Sequence, residues 1–378
     1  MAWPLFLLVC AAFAAKIPVY EVDPGHAAGV DNPRHPGRIT HEPPVVTQLD
    51  GEKGTLSFWW EADHQLRFLG TISIPPEQHT PVSGVLPPYN PDPACTFITY
   101  TDTVSHWIRI AAAPDGTAWV ALSTLTGRVA QAPYNCTLSG KNGDWSTRLF
   151  HLDSRGVTEV GAVQDFATQL FYFPDGAAHT LLCEPGIGAC TVLEVATGAM
   201  SRPFVASSLD CDWTATSEAL WCVRPGVHAR RWSLDGSQEL SPVTAPLDYP
   251  RIRSVLADGD GLYVIANDGE RSRMGRIGPD GTWTYSHKVL AVSGGLGRTP
   301  GGVPYVHRIE PERDVYAFLD PVTGEGPAFA VSGRLTRPDG NWICDYVLEG
   351  DATRPQLVIW CPGESAPLAA TIHTLPAP

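Results

Sequence analysis

Lysine is nearly missing from this chain. Only four of its 26 basic residues are lysine, at positions 16, 53, 141 and 288. Charge of either sign is sparse, at 17% of 378 residues, and the balance is −14. A basic face for nucleic acid is therefore lacking. So is the cationic surface that anionic lipid attracts. The Ala-, Glu-, Lys-, Leu- and Arg-rich periodic stretches of coiled coils and helical bundles are absent. No apolar run is long enough to span a bilayer. Disorder is excluded from the other side, because 43% of the residues are apolar and 12 are Trp. The length suffices for a large core. What the chain has in excess is turn formers, 36 Gly and 35 Pro.

The first 15 residues read MAWPLFLLVCAAFAA. An apolar run from Leu5 to Val9 precedes small residues, and Ala12-Phe13-Ala14 fits the small-x-small cleavage pattern. The only positive charge ahead of the run is the terminal amine. Residues 1–15 are expected to be a secretory signal peptide and the mature protein to be extracellular. Nine Cys are present, and Cys10 lies in the leader. The other eight are Cys95, Cys136, Cys183, Cys190, Cys211, Cys222, Cys344 and Cys361. An even number in a secreted chain points to disulfides, although eight Cys allow 105 pairings. Asn135-Cys136-Thr137 is a glycosylation sequon, so a glycoprotein is expected.

Residues 16–45 are Pro- and His-rich and read as an extended arm with one strand at Ile17–Val22. That strand is a candidate to complete the last unit of the repeat that follows. From 46 onwards, short runs of Val, Ile, Leu, Tyr, Phe and Trp alternate with D-G, P-D-G, T-G and P-G turns. An apolar strand ending in a turn recurs at anchors 153, 196, 235, 280 and 320. The separations are 43, 39, 45 and 40 residues. A second element recurs in another register, at Leu181-Leu182-Cys183, Leu220-Trp221-Cys222 and Ile359-Trp360-Cys361. Two of its copies have upstream partners, Cys211-Asp212-Trp213 and Cys344-Asp345-Tyr346. This is the spacing of a four-stranded propeller blade. Such a blade has two apolar faces and cannot bury both alone, so it stacks on neighbours.

Over residues 46–378 the chain resembles the β-propeller superfamily in period and pattern. The resemblance implies an all-β ring of seven four-stranded blades, with six and eight as the alternatives, stapled by disulfides. It carries no catalytic residue, because the W-D, kelch and Asp-box signatures are not met. Pro279-Asp280-Gly281-Thr282-Trp283 comes near an Asp-box but lacks the residue between Asp and Gly. The stretch 75–146 exceeds one period and reads as an insertion around Cys95 and Cys136. A first blade is expected around Gln65–Ile74 and a last around Arg337–Leu375. Trp107–Ile110 would make an eighth blade if it were a strand of its own unit. Within single blades, Cys183–Cys190, Cys211–Cys222 and Cys344–Cys361 are the expected bridges. Cys95–Cys136 is the leftover pair. The alternative, zinc, would want C-x2-C pairs, and there are none.

Candidate chemistry is thin. Asp258-Gly259-Asp260-Gly261 resembles a calcium loop, but position twelve is Gly269 where a bidentate Glu is needed. It reads better as a turn, and no cofactor other than calcium is suggested. Asp212 follows Cys211 as Asp345 follows Cys344, and a repeated Asp is more often structural. Trp213 beside it and Trp60, in Trp59-Trp60-Glu61, are aromatics that could stack on a sugar or a partner. Core packing is the competing role. Asn267-Asp268-Gly269-Glu270-Arg271 gathers polar groups on one hairpin. His307 could act as a general base with Glu310 as its orienter. There is no G-x-S-x-G elbow and no phosphate-binding loop. The sequence thus points to a secreted binding protein presenting a face to an extracellular protein or glycan. The alternative is a secreted hydrolase or lactonase with a funnel site, metal-assisted or not.

Overall fold

The computed structural model describes residues 19–21, 37–63, 65–82, 99–112, 116–131, 143–164, 166–172, 178–183, 189–201, 204–205, 212–216, 218–223, 228–244, 251–267, 272–290, 295–300, 302–309, 313–320, 324–332, 345–351, 354–363 and 365–373. They hold 29 strands in seven hydrogen-bonded sheets. Strand β1 (Val19–Glu21) stands apart from the start of the ring. The first sheet is β2 (Gly37–Glu42), β3 (Val45–Asp50), β4 (Thr55–Ala62) and β5 (Gln65–Ser73). The second is β6 (Gln78–Val82), β7 (Thr99–Ala112), β8 (Ala118–Gln131), β9 (Asp144–Asp153) and β10 (Gly156–Val163). The third is β11 (Phe166–Tyr172), β12 (Ala178–Cys183), β13 (Ala189–Glu194) and β14 (Phe204–Val205). The fourth is β15 (Asp212–Ala215), β16 (Leu220–Val223), β17 (His228–Trp232) and β18 (Glu239–Thr244). The fifth is β19 (Arg251–Asp258), β20 (Gly261–Asn267), β21 (Ser272–Ile277) and β22 (Trp283–Leu290). The sixth is β23 (Gly295–Arg298), β24 (Pro304–Ile309), β25 (Arg313–Asp320) and β26 (Gly324–Ser332), with β1 added. The last is β27 (Asp345–Glu349), β28 (Gln356–Cys361) and β29 (Leu368–His373). Six sheets thus have four or five strands, and the last has three among the described residues.

Each sheet is an antiparallel meander, and the sheets stack side by side. The first full strands β2, β7, β11, β15, β19 and β23 neighbour one another in that order, and β2 also lies against β27. The chain is a β-propeller whose last sheet meets its first. Alternation along the strands sends apolar side chains to both faces of every sheet. Six apolar clusters fill the seams. Ile39, Val46, Trp59, Val358 and Trp360 fill the closing seam between the last sheet and the first.

The sequence period has a local cause. Its anchors sit at the turn after each third strand, β9, β13, β17, β21 and β25. After β9, β17 and β21 an Asp side chain caps the turn. Asp153 Oδ1 accepts the N–H groups of Arg155 and Gly156 at 2.7 and 3.1 Å. Asp235 accepts from Ser237 N at 3.0 Å, and Asp280 from Thr282 N at 2.8 Å. Asp supports such turns because its side chain bonds the backbone two residues on.

Two expectations are corrected at the N-terminus. Strand β1 pairs in parallel with β26, Val19 opposite Ala330, so it widens the sixth sheet and does not complete the last blade. The ring also begins at Gly37, inside the stretch read as an arm. Gly37, Ile39 and His41 are buried while Arg38 and Glu42 are exposed, the alternation of a half-buried strand. Pro43-Pro44, joined by a cis bond, forms the turn into β3 and made the segment look irregular. Gln65–Ile74 supplies the outer strand of the first sheet. Trp107–Ile110 belongs to β7 and makes no blade of its own. Cys190, Cys222 and Cys361 are disulfide-bonded. Cys183 and Cys190 are cross-strand Cα partners. Cys95, Cys136, Cys211 and Cys344 lie outside the described residues.

Candidate functional site

The stretch read as an insertion carries the most distinctive feature. Strands β7 and β8 have 14 residues each and pair along their whole length, Thr99 opposite Gln131 through Ala112 opposite Ala118. Only their inner halves belong to the ring. Their outer halves, with β6 paired to Val104 through Tyr100, form a three-stranded wing. We call the face from which it rises the upper face. The wing's exposed side chains are mostly polar. Gln78, His79, Thr80 and Pro81 are exposed on β6, and Thr126 and Arg128 on β8. Arg128 grips Asp102 through two bonds, 2.9 and 3.3 Å, and holds that carboxyl below its usual range. Pro81 lies on the edge strand, where a missing N–H costs no ladder bond.

The wing's root is rigid. His106 is 2% exposed. Its Nε2–H donates to Pro75 O at 2.8 Å, and Nδ1 accepts the Thr124 hydroxyl at 2.9 Å. Burial pushes this imidazole below its usual value, against the raising effects of the Pro75 bond and Glu77. Both ring nitrogens are satisfied in the neutral form, so the residue is structural. Glu77 ties the root to the first sheet by accepting Arg38 at 2.5 Å and His106 N–H at 3.3 Å.

At the closing seam His41 Nε2 meets Glu61 Oε2 at 2.6 Å, and His41 N–H donates to Asp345 Oδ2 at 2.8 Å. The His41 ring lies edge-on to Trp360 at 6.1 Å. Its Nδ1 and Trp360 Nε1 are buried without hydrogen-bond partners. Glu42 reaches the surface next door. Loss of hydration beside the neighbouring sheet raises its carboxyl, His41 counters this and Asp345 adds to it. A histidine with a carboxylate is the pattern of a general base and its orienter. Here both side chains are sealed, at 0% and 6% exposure. Gln48 bonds Gly363 O at 2.8 Å in the same seam.

Trp60, Asp212, Trp213 and His307, singled out in sequence, fall in three different sheets. Trp60 is half-buried on β4 and packs on the cluster between the first and second sheets. Trp213 is 5% exposed and packs against Trp232, ring centroids 5.4 Å apart. Asp212 opens β15, and its side chain is outside the described set. His307 is half-buried on β24 and stacks on Tyr316 at 4.7 Å; Glu310 lies outside the described residues. Asp258 and Gly261 close the β19–β20 turn, where Asp260 pairs with Arg276 at 3.3 Å. Among the described residues no group of three or more His, Cys, Asp or Glu could hold a metal.

The chain matches no protein-family model and no curated protein. It is similar to solved structures. A functionally unknown protein from Desulfotomaculum acetoxidans DSM 771 aligns over 90% of this chain and 99% of its own, at 9% identity and a TM-score of 0.51. Hydrazine synthase from Kuenenia stuttgartiensis aligns over 90% and 96%, at 11% identity and 0.49. Saccharomyces cerevisiae Sqt1 aligns over 90% and 97%, at 11% and 0.46. The likeness is one of fold. It leaves function to the site, because propellers of one architecture host unrelated chemistries.

Sequence reading missed the pairing of His41 with Glu61, because 37–42 did not read as a strand. It also missed the meeting of Trp107, Trp145 and Phe166 beside the wing, since no spacing along the chain links them.

Proposed function

We propose that this is a secreted binding protein that engages an extracellular protein or glycan through its upper face. The wing is the observation that carries this reading. Two strands run well past the ring, and exposed hydrogen-bonding side chains line the extension at Gln78, His79 and Thr80 of β6 and at Thr126 and Arg128 of β8. A chain gains no core from such an extension, so its place is in recognition. The competing hydrolase reading needs several His, Asn or carboxylate side chains converging at an open mouth. The well-formed His41–Glu61 pair is sealed in a seam, which favours the binding reading.

The test replaces residues 78–104 and 126–142 each by a short Gly-Ser connection, leaving the ring strands intact. The variant should melt cooperatively and lose binding to arrayed extracellular proteins and glycans that capture the whole protein. Unchanged capture would sink the assignment of the upper face. Secretion is checked separately by N-terminal sequencing of exported protein, which should start at Lys16.

A further inference from the structure

The outer strands of the ring are built to stay single. Opposite β5 the register shifts between Phe58 and Trp59, and on β10 it shifts between Glu159 and Gly161. Opposite β18, β22 and β26 it shifts between Ala229 and Arg231, Arg273 and Gly275, and Ala317 and Leu319. Each of these five strands also carries a charge, at Arg67, Glu159, Glu239, Lys288 and Glu325. β14 has only two residues, and β26 is covered by β1. Bulges, charges, shortness and covering are the means by which a sheet edge is kept from pairing with another chain.

β29 has none of them. Among the described residues the last sheet stops at its third strand, and β29 pairs with β28 alone. That pairing runs without a shift from Gln356 opposite His373 to Cys361 opposite Leu368. Leu368-Ala369-Ala370-Thr371-Ile372-His373 contains no Lys, Arg, Asp, Glu or Pro. The edge is a flat, uncharged row of backbone groups. The neighbouring surface agrees. Phe68 on β5 lies edge-on to Trp59 at 5.8 Å, and Trp59 packs in the closing seam, so Phe68 is turned towards the last sheet. It is 58% exposed. On the other side of β5 the outer strand of the second sheet closes up, and a Cβ at Gly70 would lie 3.2 Å from Val157 Cγ1. A fourth strand on the last sheet would cover Phe68 in the same way.

A second copy of this chain fits the edge. Two identical strands paired antiparallel are self-complementary about a two-fold axis. Such pairing uses up both open edges at once, so assembly stops at two. Charge selects this strand. Each copy carries −14 and repels the other. Across a two-fold axis a charged outer strand would set like charges near one another. β29 brings no charge to the axis.

We propose that β29 of one copy pairs antiparallel with β29 of a second, joining their last sheets into one continuous sheet across a symmetric dimer. The dimer does not depend on the reading of the upper face.

The experiment follows the whole protein by sedimentation over a concentration series, with hydrogen exchange of peptides covering 368–373. A dimer should form, and the β29 amides should gain protection as it does. Thr371→Lys, which places a charge on the edge, should weaken the dimer Kd by about tenfold or more. Phe68→Ser, at an exposed position, should weaken it while melting as the parent does. Val160→Ser, on the bulged β10, should leave it unchanged. If Thr371→Lys does not fold, Phe68→Ser and the exchange of the β29 amides decide. A monomer at every concentration with protected β29 amides would overturn the proposal and place a segment of the same chain on the edge. A monomer with freely exchanging amides would overturn it and leave the edge to a different protein. A dimer of equal affinity in Thr371→Lys and Phe68→Ser would overturn the assignment of the edge.

Discussion

His41 Nε2 lies 2.6 Å from Glu61 Oε2 at the seam where the ring closes, and both side chains are shielded from water. Among the described residues no strand crosses this seam to lock it. Side-chain packing, the His41–Asp345 bond and the Gln48–Gly363 bond hold it. Removing one partner of a buried pair is costlier than removing both, because the survivor is left without its counterpart. His41→Leu should therefore destabilise by about 3–5 kcal/mol. The double variant His41→Leu/Glu61→Leu should recover most of that. Urea unfolding of the parent, His41→Leu, Glu61→Leu and the double variant measures it. A double variant as unstable as the sum of the singles would refute coupling.

Acid should unfold this protein in a predictable window. Asp153 is held down to about 2, chiefly by the side chain of Arg155. Asp235 and Asp280 are lowered as well, first by the hydroxyls of Ser233 and Thr282. A carboxyl lowered in the fold gives stability that is complete above its unfolded pKa and is lost as pH falls through the folded one. For these turns the loss runs from about pH 5 down to about pH 2. His106, lowered by burial, has the same sign and begins earlier, as pH falls below about 6.5. Asp153→Asn, Asp235→Asn and Asp280→Asn together should lower the melting temperature at pH 7 and flatten its fall between pH 5 and 2. Melting curves across that range check both halves of the statement.

Glu42 has the opposite sign. Its carboxyl is raised, chiefly by loss of hydration, so the charge at neutral pH opposes folding. Glu42→Gln should raise the melting temperature at pH 7 and should leave it unchanged near pH 3. An equal effect at both pH values would argue against a charge origin.

Asn267 and Ser272 face each other across the β20–β21 hairpin end, fully buried, and their side-chain polar atoms find no protein partner. An unmet buried hydroxyl costs about 1–3 kcal/mol. Ser272→Ala should thus stabilise by about 1 kcal/mol. Destabilisation instead would show that ordered water satisfies the pair.

Cysteine pairing is directly measurable. Peptide mapping without reduction should join Cys183 to Cys190, Cys211 to Cys222, Cys344 to Cys361 and Cys95 to Cys136. Any linkage between different blades would contradict the repeat-based assignment.

Much of the fold was legible because its causes are local. The Asp turns at 153, 235 and 280 depend on a few adjacent residues, so they recur visibly at blade spacing. Apolar alternation likewise marks each strand from its own sequence. Two local signals misled. Pro43-Pro44 masked the alternation through Ile39 and His41, and the apolar run at 17–22 did not reveal which sheet edge it would join. Trp213 shows the limit for sites: an aromatic beside a repeated Asp looks like a ligand platform, yet it packs against Trp232.

Local chemistry thus settled the period, the turns and the all-β class. Tertiary structure alone decided which surfaces became seams and which stayed open. Trp107, Trp145 and Phe166 are brought together by the stacking of the second sheet on the third, and His41 finds Asp345 only because the last sheet returns to the first. The reason is physical. A turn is stabilised within a few residues of chain, whereas a contact between sheets exists only after the whole ring has closed.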